Sequence, residues 1–477
     1  MMTSDTTQSV PLFVDLDGTL IKTDLLAESA LVLLKQAPWM IFVMPLWLLR
    51  GKAYLKARIA ERVSLATDTL PLQTAFVAFL QSQQATGRPL YLATAADARL
   101  AQPMADRLGI FRGVLASDGI HNLRSKNKLA AIAHITGGGC FDYAGNARAD
   151  FPIWAKARQA IVVNPGLGVL HGARVRTTIS QVFEDRPPLW RLWIKQTRLH
   201  QWMKNLLIGV PLLTSHAFNT PNLVAVALAF IAFGLVASAT YMLNDLLDLA
   251  SDRKHPRKCR RPFAAGNLGI APGCIVMALL LLGGLLLAAS LAPSFLLILL
   301  GYLLLTLAYT FYAKQLVLID VLMLALLYTI RIMAGAMVIN VAISSWLLAF
   351  SMFTFLSLAL IKRRAELGTV ESLERTNTEG RDYQLTDAPV INSMGISAGY
   401  LAVLVLALYV DSPAVSTHYS HPRLLWLLCP LMLYWISRLW IKTSRGEMHD
   451  DPLVFSLQDI GSWMVFLAMT CVTLIAI

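Results

Sequence analysis

Two hydrophobic rhythms divide the chain. Up to about residue 183, apolar residues gather in short strand-like runs, LFV at 12–14 and LYLAT at 90–94 among them. Helix-patterned stretches such as KLAAIAHI at 128–135 lie between these runs. That alternation predicts an α/β domain. From about residue 200 the apolar segments are long and nearly free of charge. About nine are predicted to span a bilayer, at roughly 205–219, 222–247, 270–290, 294–311, 317–339, 344–361, 391–410, 422–440 and 454–476, the first being the shortest. Between the two regimes, EDRPPL at 184–189 reads as a linker. RLWIKQTRLHQWMK at 191–204 reads as a basic interfacial helix, with Trp193 and Trp202 at the headgroups. The expected organisation is an N-terminal α/β domain over 1–183, a linker and interfacial segment over 184–196, and an all-α polytopic membrane domain over 197–477.

One early segment departs from its surroundings. Residues 30–49 are apolar and almost long enough to cross a bilayer, but they contain Lys35, Pro38 and Pro45. Two short helices, packed in a cap or lying on a membrane surface, fit better than a span. Arg50, Lys52, Lys56 and Arg58 follow, as expected near anionic headgroups.

Composition agrees with a membrane protein. Hydrophobic residues make up 56% of the 477 residues and charged residues 15%, with a formal net charge of +12. The connections at about 248–269, 312–316, 362–390 and 441–453 hold nearly all the membrane domain's charge. Arg423 is the only Lys or Arg in the alternate ones. This bias assigns the excess to cytoplasmic loops rather than to nucleic-acid binding. It places the N-terminal domain in the cytoplasm of a bacterial inner membrane, and an odd number of spans then puts the C-terminus outside. The five cysteines are scattered without CxxC spacing, so neither zinc nor a disulfide framework is indicated. The oligomeric state is not legible, and a homo-oligomer stays open.

Candidate chemistry begins at LFVDLDGTL, 12–20. On a strand, Asp15 and Asp17 share a face and reach one site at its C-terminal end. This DxDGT motif resembles the opening motif of the haloacid dehalogenase (HAD) phosphatase superfamily. The resemblance implies a Rossmann-like fold with a helical cap, here about 24–85. It also implies Asp15 as phosphoryl-accepting nucleophile and Asp17 as acid/base. Thr94 matches the second motif, and Lys128, preferred to Lys126, the third. FDYAGNARAD at 141–150 resembles the fourth, with Asn146 where an acid is usual and Asp150 retained. Asp15, Asp17 and Asp150 would then hold Mg²⁺.

The second chemical stretch is NDLLDLASDRKHPRKCRRP, 244–262. Asp245, Asp248 and Asp252 are spaced i, i+3 and i+7, so a continuing helix would carry all three carboxylates on one face, with Asn244 beside it. Hard oxygen ligands suit Mg²⁺. Six Lys or Arg residues follow, from Arg253 to Arg261, which is what a diphosphate-bearing substrate requires. NDxxDxxxD followed by HPxKxxRP strongly resembles the UbiA superfamily of membrane prenyltransferases, over about 197–477. That superfamily includes aromatic prenyltransferases and a smaller branch that transfers phosphoribose from phosphoribosyl diphosphate (PRPP) to polyprenyl phosphate. QWMKN at 201–205, Lys314 with Asp320 and Arg331, KRRAEL at 362–367 and DDPLVFSLQD at 450–459 resemble the smaller branch. The resemblance implies Mg²⁺ and diphosphate on Asp245, Asp248 and Asp252. It implies substrate contacts at Asn244, Lys258, Arg261, Lys314, Asp320, Arg331, Lys362 and Lys204. Arg331, about 16 Å along its helix from Asp320, is costly at that depth and therefore a functional expectation. A bifunctional enzyme is the expectation, with transfer followed by removal of the 5-phosphate. An aromatic prenyltransferase with a degenerate HAD domain is the alternative.

Overall fold

The computed structural model describes residues 10–372, 382–416, 419–448 and 451–477. The chain forms two compact units, Met1–Thr197 with Met242–Val276, and Arg198–Tyr241 with Met277–Ile477.

In the first unit, β1 (Leu12–Val14) leads into three short helices, α1 (Leu25–Gln36), α2 (Met40–Leu49) and α3 (Lys52–Ala60). Helix α4 (Thr74–Ala85) returns the chain to β2 (Leu90–Asp97). Then come α5 (Ala98–Leu108), β3 (Gly113–Ser117), α6 (Lys126–Thr136), β4 (Asp142–Gly145), α7 (Phe151–Trp154), β5 (Gln159–Val163), α8 (Val169–Arg174) and β6 (Thr178–Phe183). The six strands form one sheet in the order β3-β2-β1-β4-β5-β6, and every pairing is parallel. The middle of such a sheet is covered on both faces, which is why β1, β2 and β5 read as apolar runs while the edge strand β6 does not. Leu12, Phe13 and Val14 are fully buried. Phe76, Val77 and Leu80 of α4 join the same core as β1 and β2, so α4 belongs to the sheet layer. The cap is α1–α3, with its own small apolar cluster around Leu33, Leu55 and Ile59. Residues 30–49 are thus two short helices broken at Ala37–Trp39, and they do not form a span.

The remaining elements are α9 (Leu189–Thr197), α10 (Val210–Thr214), α11 (Thr220–Leu247), α12 (Leu249–Lys254), α13 (Ile270–Ala289), α14 (Pro293–Phe311), α15 (Ile319–Val338), α16 (Ser345–Ser372), α17 (Ala388–Val410), α18 (Pro413–Ser416), α19 (Leu428–Ser444), α20 (Pro452–Gln458) and α21 (Ile460–Ala476). Among the described residues, seven helices are long and apolar enough to cross a membrane, and α20 with α21 adds an eighth if that pair, bent by 83°, is one span. The expected count of nine is therefore too high. The 205–219 segment is the surplus one. It is a 3₁₀ stretch, Leu199–Gly209, followed by the five-residue α10, with Gly209 and Pro211 at the junction. Seven spans keep the count odd, and counting α20 with α21 as an eighth would make it even. In the second unit, α15 is the most enclosed span, with 61% of it buried. It packs with Phe233, Phe295 and Tyr302 on one side and with Phe355 and Trp435 on another.

Candidate functional sites

The order of the sheet reverses direction at β1, which has β2 on one side and β4 on the other. Ligands of open α/β sheets bind beyond the strand carboxyl ends at such a switch point. Asp15 stands there, its backbone N–H donating to Ala144 O at 3.0 Å. Lys128 donates to Asp15 Oδ1 at 2.8 Å and to the Tyr143 hydroxyl at 3.0 Å. Tyr143 in turn donates to Asp150 Oδ1 at 3.0 Å. Asp150 Oδ2 accepts from the backbone N–H groups of Asn146 and Ala147. Gly145 permits this closure, because a Cβ there would lie 2.6 Å from Asp150 Oδ2. Lys126 is exposed, so of the two lysines it is Lys128 that reaches the acid. Thr94 is buried within β2 and accepts from Ala96 N.

Asp17 Oδ1 accepts from Leu25 N, the first residue of α1. Burial, followed by the nearby Asp24 charge, pushes the Asp17 carboxyl up to about 8. Burial, with Asp15 beside it, likewise pushes Asp150 up to about 6. A cavity lined by Asp17, Asp24, Lys56 and Asp97 opens here between cap and sheet. Lys56 does not serve a membrane surface, as its place in a basic run suggested. Its ammonium donates to Ala95 O at 2.5 Å and faces Asn122 Oδ1 at 3.4 Å, and burial lowers its pKa. Asp15 keeps 13% of its side chain exposed, enough for an approaching phosphorus atom. The set comprises an accessible carboxylate, a carboxyl that keeps its proton at neutral pH and a lysine on the first carboxylate. It is suited to phosphoryl transfer onto Asp15.

The aspartates of 244–262 are arranged differently from the expectation. Helix α11 stops at Leu247, and Asp248 leaves helical geometry as the N-cap of α12. The three carboxylates therefore do not share one helix face. Asp245 and Asp252 converge on Arg261, whose Nη1 lies 3.0 Å from Asp245 and 2.6 Å from Asp252. Asp248 instead faces Lys35 at 3.6 Å. Asp245 also accepts from buried Gln196 of α9 at 2.8 Å. Burial raises the pKa of Asp252, and Arg261 pulls it back down. Lys258 is exposed, and its charge also acts on Asp252; Asn244 is half-buried in the last turn of α11. Arg253, one of the six basic residues, turns away and pairs with Glu28 of α1 at 2.5 Å, both side chains buried. Removing one partner of such a pair costs about 3–5 kcal/mol.

Among the described residues, no three His, Cys, Asp or Glu side chains converge as a metal cage. The donor chemistry still fits Mg²⁺. Gln196 Oε1 is a buried oxygen without a hydrogen-bond partner beside Asp245, and Mg²⁺ is commonly held by one or two carboxylates plus substrate phosphates.

In the second unit, Lys204 in the 3₁₀ stretch pairs with Asp451 at 2.5 Å, both under 10% exposed. Lys362 of α16 lies 3.7 Å from the same carboxylate, and Tyr328 of α15 donates to it at 2.9 Å. Arg331 is buried on α15. It donates to Asn205 Oδ1 at 3.1 Å and to Leu327 O, and its guanidinium lies 5.2 Å from the Phe233 ring centre and 5.0 Å from that of Tyr302. Gly335 makes the approach possible, since a Cβ there would sit 2.0 Å from Ile208 O. Asn205 Nδ2 is buried without a partner. Asp320 is committed elsewhere. It is fully buried and tied to Arg363 at 2.5 Å and to the Tyr383 hydroxyl at 2.6 Å. Lys314 lies in the 3₁₀ turn Ala313–Gln315. Asp459 pairs with Arg438, and Asp450 falls outside the described residues.

The sequence reading missed Tyr143, Lys56, Gln196 and Asn205. Each is an ordinary residue in its own segment, and only the neighbours it meets mark it.

Residues 206–470 match the UbiA prenyltransferase family. Over 466 residues the chain is 35% identical to the protein y4nM of Sinorhizobium fredii, covering 96% of this chain and 89% of that one. It is 35% identical to the nodulation protein NoeC of Azorhizobium caulinodans, over 57% of this chain and 89% of that one. It is 36% identical to the decaprenyl-phosphate phosphoribosyltransferase of Corynebacterium glutamicum over 179 residues, which span 36% of this chain and 54% of that enzyme.

Proposed function

This chain belongs to the UbiA prenyltransferase family, and on that premise we propose a bifunctional membrane enzyme. It transfers 5-phosphoribose from PRPP to a polyprenyl phosphate and then removes the 5-phosphate. The cations gathered in the second unit carry this reading. Among the described residues, Lys204 and Lys362 both face Asp451, and buried Arg331 lies 5.8 Å from the ring of Tyr328, whose hydroxyl donates to that carboxylate. A neutral aromatic acceptor needs no anion site beyond that for the diphosphate. A sugar phosphate meeting a lipid phosphate does, and buried cations bind phosphate strongly. The similarity to a phosphoribosyltransferase supports the same choice.

In the transfer step, an oxygen of the lipid phosphate attacks C1 of the ribose, the C1–oxygen bond to diphosphate breaks, and diphosphate leaves. Bound Mg²⁺ would supply charge neutralisation for the departing diphosphate. Asp245 and Asp252, joined by Asp248 once it turns from Lys35, would hold it, and Arg261 and Lys258 would grip phosphate oxygens. Arg261 must loosen from Asp245 and Asp252 to do so. In the second step Asp15 attacks the 5-phosphate and the ester oxygen leaves with the proton of Asp17. A water oxygen then attacks the phosphorus, its proton passes to Asp17, and the bond from Asp15 to phosphorus breaks to release phosphate. The Lys/Arg-rich connections support a cytoplasmic side for both steps, where PRPP is available.

The test supplies radiolabelled PRPP and polyprenyl phosphate to purified protein, with and without Mg²⁺. Label should enter the lipid fraction from wild type with Mg²⁺, and should fall by about 100-fold or more in Asp248→Ala. Wild type that leaves the lipid unlabelled overturns the transfer reading.

A further inference from the structure

Helix α2 has two apolar sides and no polar one. Its sequence, MIFVMPLWLL, carries no charge. Met40, Val43, Met44 and Trp47 pack into the cap cluster with Leu33, Leu55 and Ile59. Trp39, Phe42, Leu46 and Leu49 are spaced three, four and three residues apart and so form one stripe on the opposite side. Phe42 is 79% and Leu49 84% exposed. An uncovered apolar stripe of this length marks an interaction site.

The end of α1 indicates what covers it. Lys35, in the last turn of α1, lies 3.6 Å from Asp248, and Asp248 is the first residue beyond α11, one of the membrane-crossing helices. The turn Ala37–Trp39 that opens α2 therefore begins two residues after a side chain that reaches the end of that helix. Gly266, four residues before α13, sits against Lys22 and Pro71, where a Cβ would lie 2.6 Å from Lys22 Cβ. This second contact holds the same unit to the other end of that span connection. Arg50 and Lys52 flank the C-terminal end of the stripe, and Lys35 is half exposed at the other. Cations at both ends of an apolar stripe complement anionic headgroups.

We propose that α2 is a monotopic membrane-contact helix. Its Trp39–Phe42–Leu46–Leu49 stripe lies in the headgroup and acyl boundary of the bilayer that the same chain crosses. The consequence, which rests on the phosphatase reading, is that the cavity beside Asp17 is presented to phosphate esters carried on lipids. Lys56 of α3, in that cavity, and the buried side of α2 belong to one packed cap, so seating α2 in lipid sets the cavity at the membrane surface.

Full-length protein in nanodiscs containing anionic lipid tests the seating. A nitroxide is attached at Phe42→Cys, with the five native cysteines replaced by Ala. Collision with oxygen should exceed collision with a water-soluble nickel complex. A label at Leu167→Cys, an apolar position just as open but off the stripe, should show the reverse. Equal behaviour at the two positions overturns the proposal. The functional arm compares wild type with the triple variant Phe42→Ser, Leu46→Ser, Leu49→Ser. KM for polyprenyl-phosphoryl ribose 5-phosphate should rise roughly ten-fold or more, with turnover of soluble p-nitrophenyl phosphate unchanged. Equal losses on both substrates would make the stripe merely structural. A wild type that hydrolyses neither sinks the phosphatase reading, and the nitroxide arm still decides the seating.

Discussion

The two polar clusters differ in which charge is in excess. Around Asp15, the acids Asp15, Asp17 and Asp150 meet Lys128, with Lys56 near Asp17, and burial keeps the protons on Asp17 and Asp150 at a higher pH than usual. Around Asp451 in the second unit, the surplus among the described residues is cationic, with Lys204 and Lys362 on the carboxylate and Arg331 beside the ring of Tyr328. Buried charge left unbalanced is expensive, so each imbalance indicates the ligand that would relieve it. The acid-rich cluster suits a cation and a phosphoryl group arriving with it. The cation-rich cluster suits an anion. Its location inside an apolar helical unit restricts that anion to one the protein has been built to admit.

The sharpest way to break this comparison is Asp15→Asn. Phosphate release should fall by about a thousand-fold or more while label still enters lipid, and the product should retain its 5-phosphate by mass spectrometry. Loss of lipid labelling as well would mean that the two clusters do not act on separate steps.

Lys204→Met attacks the other side. It leaves Asp451 with Lys362 at 3.7 Å, the Tyr328 hydroxyl and the Leu453 backbone N–H, and no closer cation among the described residues. Lipid labelling should fall by about 100-fold, and detergent-solubilised protein should lose roughly 2–4 kcal/mol of stability. If Lys204→Met labels lipid at the wild-type rate, the pair serves packing and not an anion.

Tyr143→Phe tests how the acid-rich cluster is held. The hydroxyl is the link between Lys128 and Asp150, and removing it leaves both short of a partner at about 1–3 kcal/mol. Phosphate release should drop about ten-fold, with Tyr143→Trp no better and lipid labelling unchanged.

The smallest effect concerns pH. A carboxyl pushed up to about 8 means that the folded state holds its proton more tightly than the unfolded chain does. Asp17 thus favours folding below the ordinary carboxylate range, and that contribution is lost as pH climbs to about 8. Asp17→Asn should raise the thermal midpoint of the protein at pH 8–9, a gain of roughly 1–3 kcal/mol, and leave it little changed near pH 4. Phosphate release by wild type should decline as pH rises through about 8, because Asp17 then loses the proton the leaving oxygen needs.

Much was legible along the chain. The alternation before residue 183 and the long apolar segments after 200 specify an α/β unit and a helical membrane unit, because burial period and length are local properties of sequence. DxDGT and NDxxDxxxD located the acids, and the lysine preference at 128 followed from a helix pattern. The tertiary structure alone decided how those acids are used. Helix α11 stops at Leu247, and with the break at Asp248 one carboxylate faces Lys35 and two face Arg261. The 205–219 segment is apolar enough to span, yet its 3₁₀ backbone lies against Gly335 and delivers Lys204 and Asn205 to Asp451 and Arg331. Lys56 sat in a run that reads as surface charge, and folding of the cap turned it inward. In each case the deciding interaction joins residues far apart in the chain. Composition and spacing carry no information about such meetings, because they register only what neighbouring residues share.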